Sequence, residues 1–143
     1  MKIQLILQKD LLSILEIYNS FFIFSPKSEK KFSMYFKNRF LGFYLTNNKQ
    51  IIGFIWGRFI DKNFNLNTLW ISPIHRKQGC AKMLLEILFE KIKYSSSETE
   101  KVFLHFRKQN ELEKFYSKFG FNVLKTTENY SNGDLKISME KYL

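Results

Sequence analysis

The sequence predicts a mixed α/β domain in which a mostly antiparallel central sheet is flanked by helices. Three observations carry this. Between residues 41 and 71, three segments rich in β-branched and aromatic residues follow one another through links of a few residues, too short for parallel crossovers. After Pro73 the apolar period changes to that of a helix. Beyond residue 100 the pattern returns to strand, short helix and two further strands. At 143 residues, 45% of them apolar and 17% aromatic, residues 1–143 read as one domain with ample material for a core.

Residues 1–7 open the chain as an apolar, strand-like segment, and Asp10 is placed to cap a helix carrying Leu11, Ile14, Leu15 and Tyr18 at helical spacing. Ser25-Pro26 reads as a second helix start, a cap followed by proline, with Phe32, Phe36 and Phe40 along one face. Segments 41–46 and 51–60 flank Asn47-Asn48-Lys49-Gln50, a hairpin signal, and Asp61-Lys62-Asn63 turns the chain into a strand over 64–71. Ala81, Leu84, Leu85, Leu88 and Ile92 then form a helical stripe, and residues 94–100 read as a polar surface loop. Residues 101–107 alternate as a strand, with Val102, Leu104 and Phe106 on one face and Phe103, His105 and Arg107 on the other. A short helix over 111–118 stops before Gly120, and strands over 121–127 and 134–141 close the chain, with Asn132-Gly133 as a turn signal and Leu135, Ile137 and Met139 sharing a face. Strand, two helices, three strands, helix, strand, helix and two strands is not the order of a doubly wound parallel sheet.

Composition narrows the function. The formal charge of +10, from 23 Lys and Arg against 13 Asp and Glu, favours an anionic cofactor or partner, although the lysines are scattered and form no dense block. No run has the length of a membrane-crossing helix, and the start lacks the basic-then-apolar pattern of a secretory leader, so the expectation is a cytoplasmic protein with no membrane partner. One cysteine allows no internal disulfide, and two distant histidines make no metal-ligand set. The Phe-rich first half, including Phe21, Phe22, Phe24 and Phe43, could line an acceptor groove, but core packing explains most of it.

The chemistry concentrates in Leu69-Trp70-Ile71-Ser72-Pro73-Ile74-His75-Arg76-Lys77-Gln78-Gly79-Cys80-Ala81-Lys82, where a strand runs through a glycine turn into an amphipathic helix. A helix start presents unpaired N–H groups and partial positive charge, which suits phosphate. Gly79 permits close backbone approach, Ala81 leaves room, and Lys77 and Lys82 add charge. Neither the nucleotide-triphosphatase pattern G-x-x-x-x-G-K-[ST] nor the dinucleotide pattern G-x-G-x-x-G is present.

This segment resembles the acetyl-CoA motif of the GNAT superfamily of N-acetyltransferases, R/Q-x-x-G-x-G/A, through Arg76, Gly79 and Ala81, with Ile71-x-Pro73 before it and Leu84-Leu85 after it. Phe115-Tyr116-Ser117-Lys118-Phe119-Gly120-Phe121 looks like the family's Y-x-x-x-G-F ending, and together with the strand order the resemblance covers nearly the whole chain. The chain is similar to the ribosomal-protein-alanine-acetyltransferase-like members. Those that acetylate protein N-termini often carry Glu-Val-Arg-x-x-Asn where this chain has His105-Phe106-Arg107-Lys108-Gln109-Asn110, and the interval from Asn110 to Tyr116 is one residue shorter here.

The resemblance implies a GNAT-like fold in which strands 64–71 and 101–106 splay into a V-shaped slot for pantetheine. Backbone groups around Leu69, Trp70 and Ile71 would pair with the pantetheine amides. The turn Arg76, Lys77, Gln78, Gly79, Cys80, Ala81 and Lys82 would hold the pyrophosphate of acetyl-CoA, and Asn110 would contact pantetheine. Tyr116 takes the role of general acid on the leaving thiolate and His105 that of base, with no metal. Imidazole, with a pKa near 6.5, is suited to accept a proton from an amine at neutral pH. The alternatives are a packing role for Tyr116 and a solvated one for His105. His75 reads as a surface residue. Cys80 occupies a variable motif position, and direct transfer needs no covalent relay.

Three functions follow for this pattern: acetylation of a protein, peptide or small amine by a monomer or homodimer; acetylation directed by RNA, such as an aminoacyl-tRNA, motivated by the basic excess; or a non-catalytic CoA-binding or nucleic-acid-binding module. Loops 20–31 and 126–134, where an acceptor would sit, carry no legible motif.

Overall fold

A seven-stranded sheet runs through the molecule in the order β1-β2-β3-β4-β5-β7-β6. The structure, a computed structural model, describes residues 1–22, 26–128 and 133–143, so Phe24, the Ser25 cap and Asn132 of the closing turn lie outside the described residues. The strands are β1 (Lys2–Leu5), β2 (Phe40–Asn47), β3 (Gln50–Ile60), β4 (Asn63–Ile71), β5 (Lys101–Arg107), β6 (Asn122–Glu128) and β7 (Leu135–Tyr142). The helices are α1 (Leu11–Phe21), α2 (Glu29–Phe36), α3 (Cys80–Ser95) and α4 (Glu113–Ser117). Neighbouring strands pair antiparallel except β4 and β5, which are parallel. This is the mixed, mostly antiparallel sheet flanked by helices that the sequence predicts.

The β2–β3 hairpin turns through Asn48 and Lys49, both at positive φ (50° and 67°), the backbone that a two-residue hairpin loop of matching twist requires. Other local expectations shift for identifiable reasons. The Asp10 carboxylate does not cap α1; it accepts a hydrogen bond from the Leu7 N–H at 2.8 Å and closes the short 3₁₀ turn Gln8–Asp10 instead. The second helix begins after Ser28, whose Oγ accepts from Lys31 N–H at 3.1 Å. Phe40 leaves that helix because Arg39, at φ 57°, turns the chain, yet the Phe36 and Phe40 rings still meet at 5.1 Å across the corner. Glu111, at φ 51°, separates the 3₁₀ turn Lys108–Asn110 from α4 and shortens the expected helix.

The sheet divides the apolar interior into two clusters. One packs α3 and α4 against it through Leu84, Leu85, Leu88, Ile92, Phe64, Leu66, Val102, Leu104, Phe106, Tyr116 and Met139. The other holds α1 and α2 through Ile14, Tyr18 and Phe32 against Tyr44, Phe54, Trp56 and Trp70 of β2, β3 and β4. The second cluster contains no residue of β5, β6 or β7, so helices α1 and α2 cover only the first part of their side of the sheet.

Candidate active site

The site begins where the parallel pair ends. β4 and β5 are in register only over Asn63, Phe64 and Asn65 with Lys101, Val102 and Phe103. Above that point β4 continues along β3 to Ile71, and β5 continues along β7 to Arg107, so the two strands part and leave a slot. The cause is local. In the β3–β4 ladder Trp56 faces Thr68 and Gly57 faces Leu66, which makes Asn67 an extra residue, a β-bulge that bends its strand. Gly57 lies opposite the bulge, where a Cβ would collide with the Asn65 carbonyl.

Which backbone groups face the slot follows from the ladder. The Ser72 N–H donates to the Ile52 carbonyl at 2.7 Å, so by antiparallel alternation Trp70 also spends its backbone groups on β3. Its indole is buried on the α1–α2 side, stacked on Phe54 at 5.0 Å and beside Phe21 at 4.8 Å. Of the three residues predicted here, Leu69 and Ile71 therefore turn their backbone towards β5, and Trp70 does not. The Ile71 carbonyl already accepts a hydrogen bond from Arg76 Nε at 2.8 Å. That bond folds the Arg76 side chain back and ties the glycine turn to the strand end; nothing in the residue spacing announced it.

At the mouth of the slot, the 3₁₀ turn Pro73–His75 leads through Lys77 (φ 61°) and Gly79 (φ 84°) into α3. Gly79 is the N-cap in the left-handed region, and a Cβ there would meet nothing within 4 Å, so open space lies in front of the helix start. Arg76, Lys77, Gln78, Gly79 and Lys82 are exposed around it. Lys82 shares its charge with Glu86 at 3.9 Å. Cys80 is buried in the α3 cluster, its Sγ 3.9 Å from Met1 Sδ, so it offers the turn an N–H and not a thiol. Ala81 is partly buried against the same cluster. His75, expected at the surface, is half-buried.

Tyr116 and His105 occupy opposite faces of β5. The Tyr116 ring stacks on Phe106 at 6.0 Å and meets Phe115 and Phe121 edge-on at 5.0 and 5.6 Å. Burial pushes its phenol up to about 12, so it carries its proton throughout the neutral range. His105 is exposed on the other face, and partial burial followed by the Lys136 charge lowers its pKa from 6.5, keeping the ring neutral at physiological pH. Asn110 is exposed at the end of the 3₁₀ turn between β5 and α4. An open helix start and a phenol beside β5 thus lie on one side of the sheet and an imidazole on the other, with the parting of the strands between them. A separate polar hollow of about 490 Å³, lined by Lys2, Gln4, Asp10, Tyr44 and Lys49 among others, brings none of these residues together.

Comparison with known proteins agrees with this fold. The family model described as an acetyltransferase (GNAT) domain matches residues 19–143. The [ribosomal protein bS18]-alanine N-acetyltransferase of Haemophilus influenzae is 32% identical over 92 residues; the match covers 64% of this chain and 62% of that protein, so this chain spans somewhat less than two thirds of that relative's length. The crystal structure of the ribosomal-protein-S18-alanine N-acetyltransferase from Escherichia coli superposes with a TM-score of 0.85 at 25% identity, over 99% of this chain and 92% of that one. An aminoglycoside 6'-N-acetyltransferase complexed with coenzyme A shares the fold, with a TM-score of 0.82 at 12% identity over 99% and 97% of the two chains.

Proposed function

Because the chain belongs to the GNAT acetyltransferase family, whose domain spans residues 19–143, we propose that it transfers the acetyl group of acetyl-CoA to a primary amine of a protein, peptide or small molecule. The single observation that carries the reading is the parting of β4 and β5 below an exposed glycine turn. Backbone groups of Leu69 and Ile71 offer a strand edge to pantetheine. The N–H groups around Lys77 to Cys80, at the start of a sixteen-residue helix, offer an anion site to the pyrophosphate. Asn110 stands at the exit of β5 as a further polar contact. Acetyl-CoA supplies an activated thioester carbonyl.

The protein's own contribution is position and proton handling. The acceptor amine must be neutral to attack, and the neutral His105 ring, directly or through water, takes its proton from the sheet face opposite Tyr116. The C–N bond forms as the C–S bond breaks, and Tyr116, held protonated by burial, donates its proton to the departing thiolate. Holding both reactants on the two sides of one strand supplies the largest part of the acceleration. The likeness to bS18-alanine acetyltransferases supports a protein amine as acceptor and a cytoplasmic setting.

The test is binding. Coenzyme A at about one hundred times its dissociation constant is expected to add roughly 2.7 kcal/mol of stability and raise the melting temperature. Gly79→Val, forced to positive φ with its side chain in the open mouth, is expected to fold and to lose that shift. Saturating coenzyme A giving neither a thermal shift nor heat in calorimetry would refute the reading.

A further inference from the structure

The face of the sheet that carries His105 is not covered by α1 and α2, and its composition is one-sided. Residues directly opposite in an antiparallel sheet point the same way. The β5–β7 register sets His105 beside Ser138 and Arg107 beside Lys136, and the β7–β6 register sets Ser138 beside Lys125 and Lys136 beside Thr127. Two rows therefore run across this face, His105, Ser138 and Lys125 in one and Arg107, Lys136 and Thr127 in the next.

Its acidic groups are already engaged. Glu140 lies toward the closed end of the slot, 3.5 Å from Lys101, and Asp134 is 3.8 Å from Arg107. Lys125 and Lys136 form no ion pair among the described residues. His105 has both Lys136 and Glu140 as diagonal neighbours, and burial followed by the Lys136 charge lowers its pKa.

We propose that this surface is the acceptor site and that it selects amines borne on acidic peptides, with an aspartate or glutamate at the second or third position. The proposal rests on the transferase reading above and names its substrate class. The spacing comes from sheet geometry: the diagonal from His105 to Lys136 spans about 7–8 Å, and two residues of extended peptide cover about 7 Å. A peptide amine at His105 thus places its second and third residues between His105 and the two lysines, where one of their side chains, which alternate along an extended chain, turns to Lys136 or Lys125. A lysine or arginine there meets the like charges of Lys136 and Lys125. Attraction to an exposed Lys125 and a half-buried Lys136 fades beyond a screening length of about 8 Å at physiological salt, so the preference must weaken as salt rises.

The experiment compares kcat/KM for three peptides with the same small N-terminal residue, differing only in Asp-Glu, Ser-Ser or Lys-Lys at the second and third positions, together with an aminoacyl-tRNA and a small amine. The acidic peptide is expected to exceed the basic one by at least about tenfold at low salt. Lys136→Glu is expected to shrink or invert that ratio, and Lys125→Glu, an exposed change on the edge strand, serves if the first variant folds poorly. Equal rates on the three peptides, faster turnover of the basic one, or acetylation of the aminoacyl-tRNA and of no peptide would overturn the acidic-acceptor proposal while leaving the transferase reading intact. Coenzyme A binding without acetylation of any amine would overturn both.

Discussion

Tyr116 shows how one burial serves two ends. Its ring is packed between Phe106, Phe115 and Phe121, and the same burial that makes it a core residue holds its phenol protonated up to about 12. Tyr116→Phe removes only the hydroxyl. General-acid help is typically worth about a hundredfold to ten-thousandfold, so turnover in a single-turnover measurement is expected to fall at least about tenfold while coenzyme A affinity is unchanged. A variant that turns over normally would return Tyr116 to packing alone. Stability gives an independent readout. The native phenol keeps its proton between pH 10 and 12 while the unfolded one loses it, so native stability falls as pH rises through that window, by about 2–3 kcal/mol. Urea unfolding of the Phe variant at pH 8 and pH 11 is expected to lack that component of the loss.

At the scale of the element, β4 decides whether there is a slot at all. The extra residue at Asn67 bends the strand just above the last parallel pair, Asn65 with Phe103, and so turns a continuous sheet into two halves joined at their base. Deleting Asn67 leaves Thr68 to Ile71 facing their present β3 partners and restores a regular ladder. The deletion variant is expected to fold, with its circular dichroism preserved, and to lose the thermal shift with coenzyme A. Binding as tight as the parent's would mean that the bulge does not create the slot.

Across the whole molecule, one sheet is shared by two apolar clusters, and β2, β3 and β4 contribute side chains to both. Neither cluster can lose its strands without exposing the other, so unfolding is expected to be a single cooperative event. Phe32 is 1% exposed in the α1–α2 cluster, with its ring 5.3 Å from that of Trp56. Phe32→Ala is expected to cost about 3–5 kcal/mol. Its tryptophan fluorescence, which reports Trp56 and Trp70 in that cluster, and its far-ultraviolet circular dichroism should shift together. Separate transitions would show that the two sides of the sheet unfold independently.

The element order, the α3 stripe, the alternation of β5 and the glycine turn can be read from the residues alone, because each depends on side-chain period or on backbone freedom within a few residues. Gly79 and the Ala81 to Ile92 stripe are legible for that reason, as is the pairing of His105 with one face of β5 and Phe106 with the other. Local capping was less legible: Asp10 had several unpaired N–H groups within reach, and only the folded turn selected Leu7. What the tertiary structure alone decided is which groups face one another. Strict alternation along β4 puts Phe64, Leu66, Thr68 and Trp70 on one face, yet the bulge leaves Phe64 and Leu66 with α3 and carries Trp70 to the α1–α2 side. A bulge is an event between two strands, settled by how β3 and β4 pair under the packing of helices on both faces, and a single strand's residues carry no record of it. The same holds for Lys136, which reaches His105 only through a register fixed across β5 and β7.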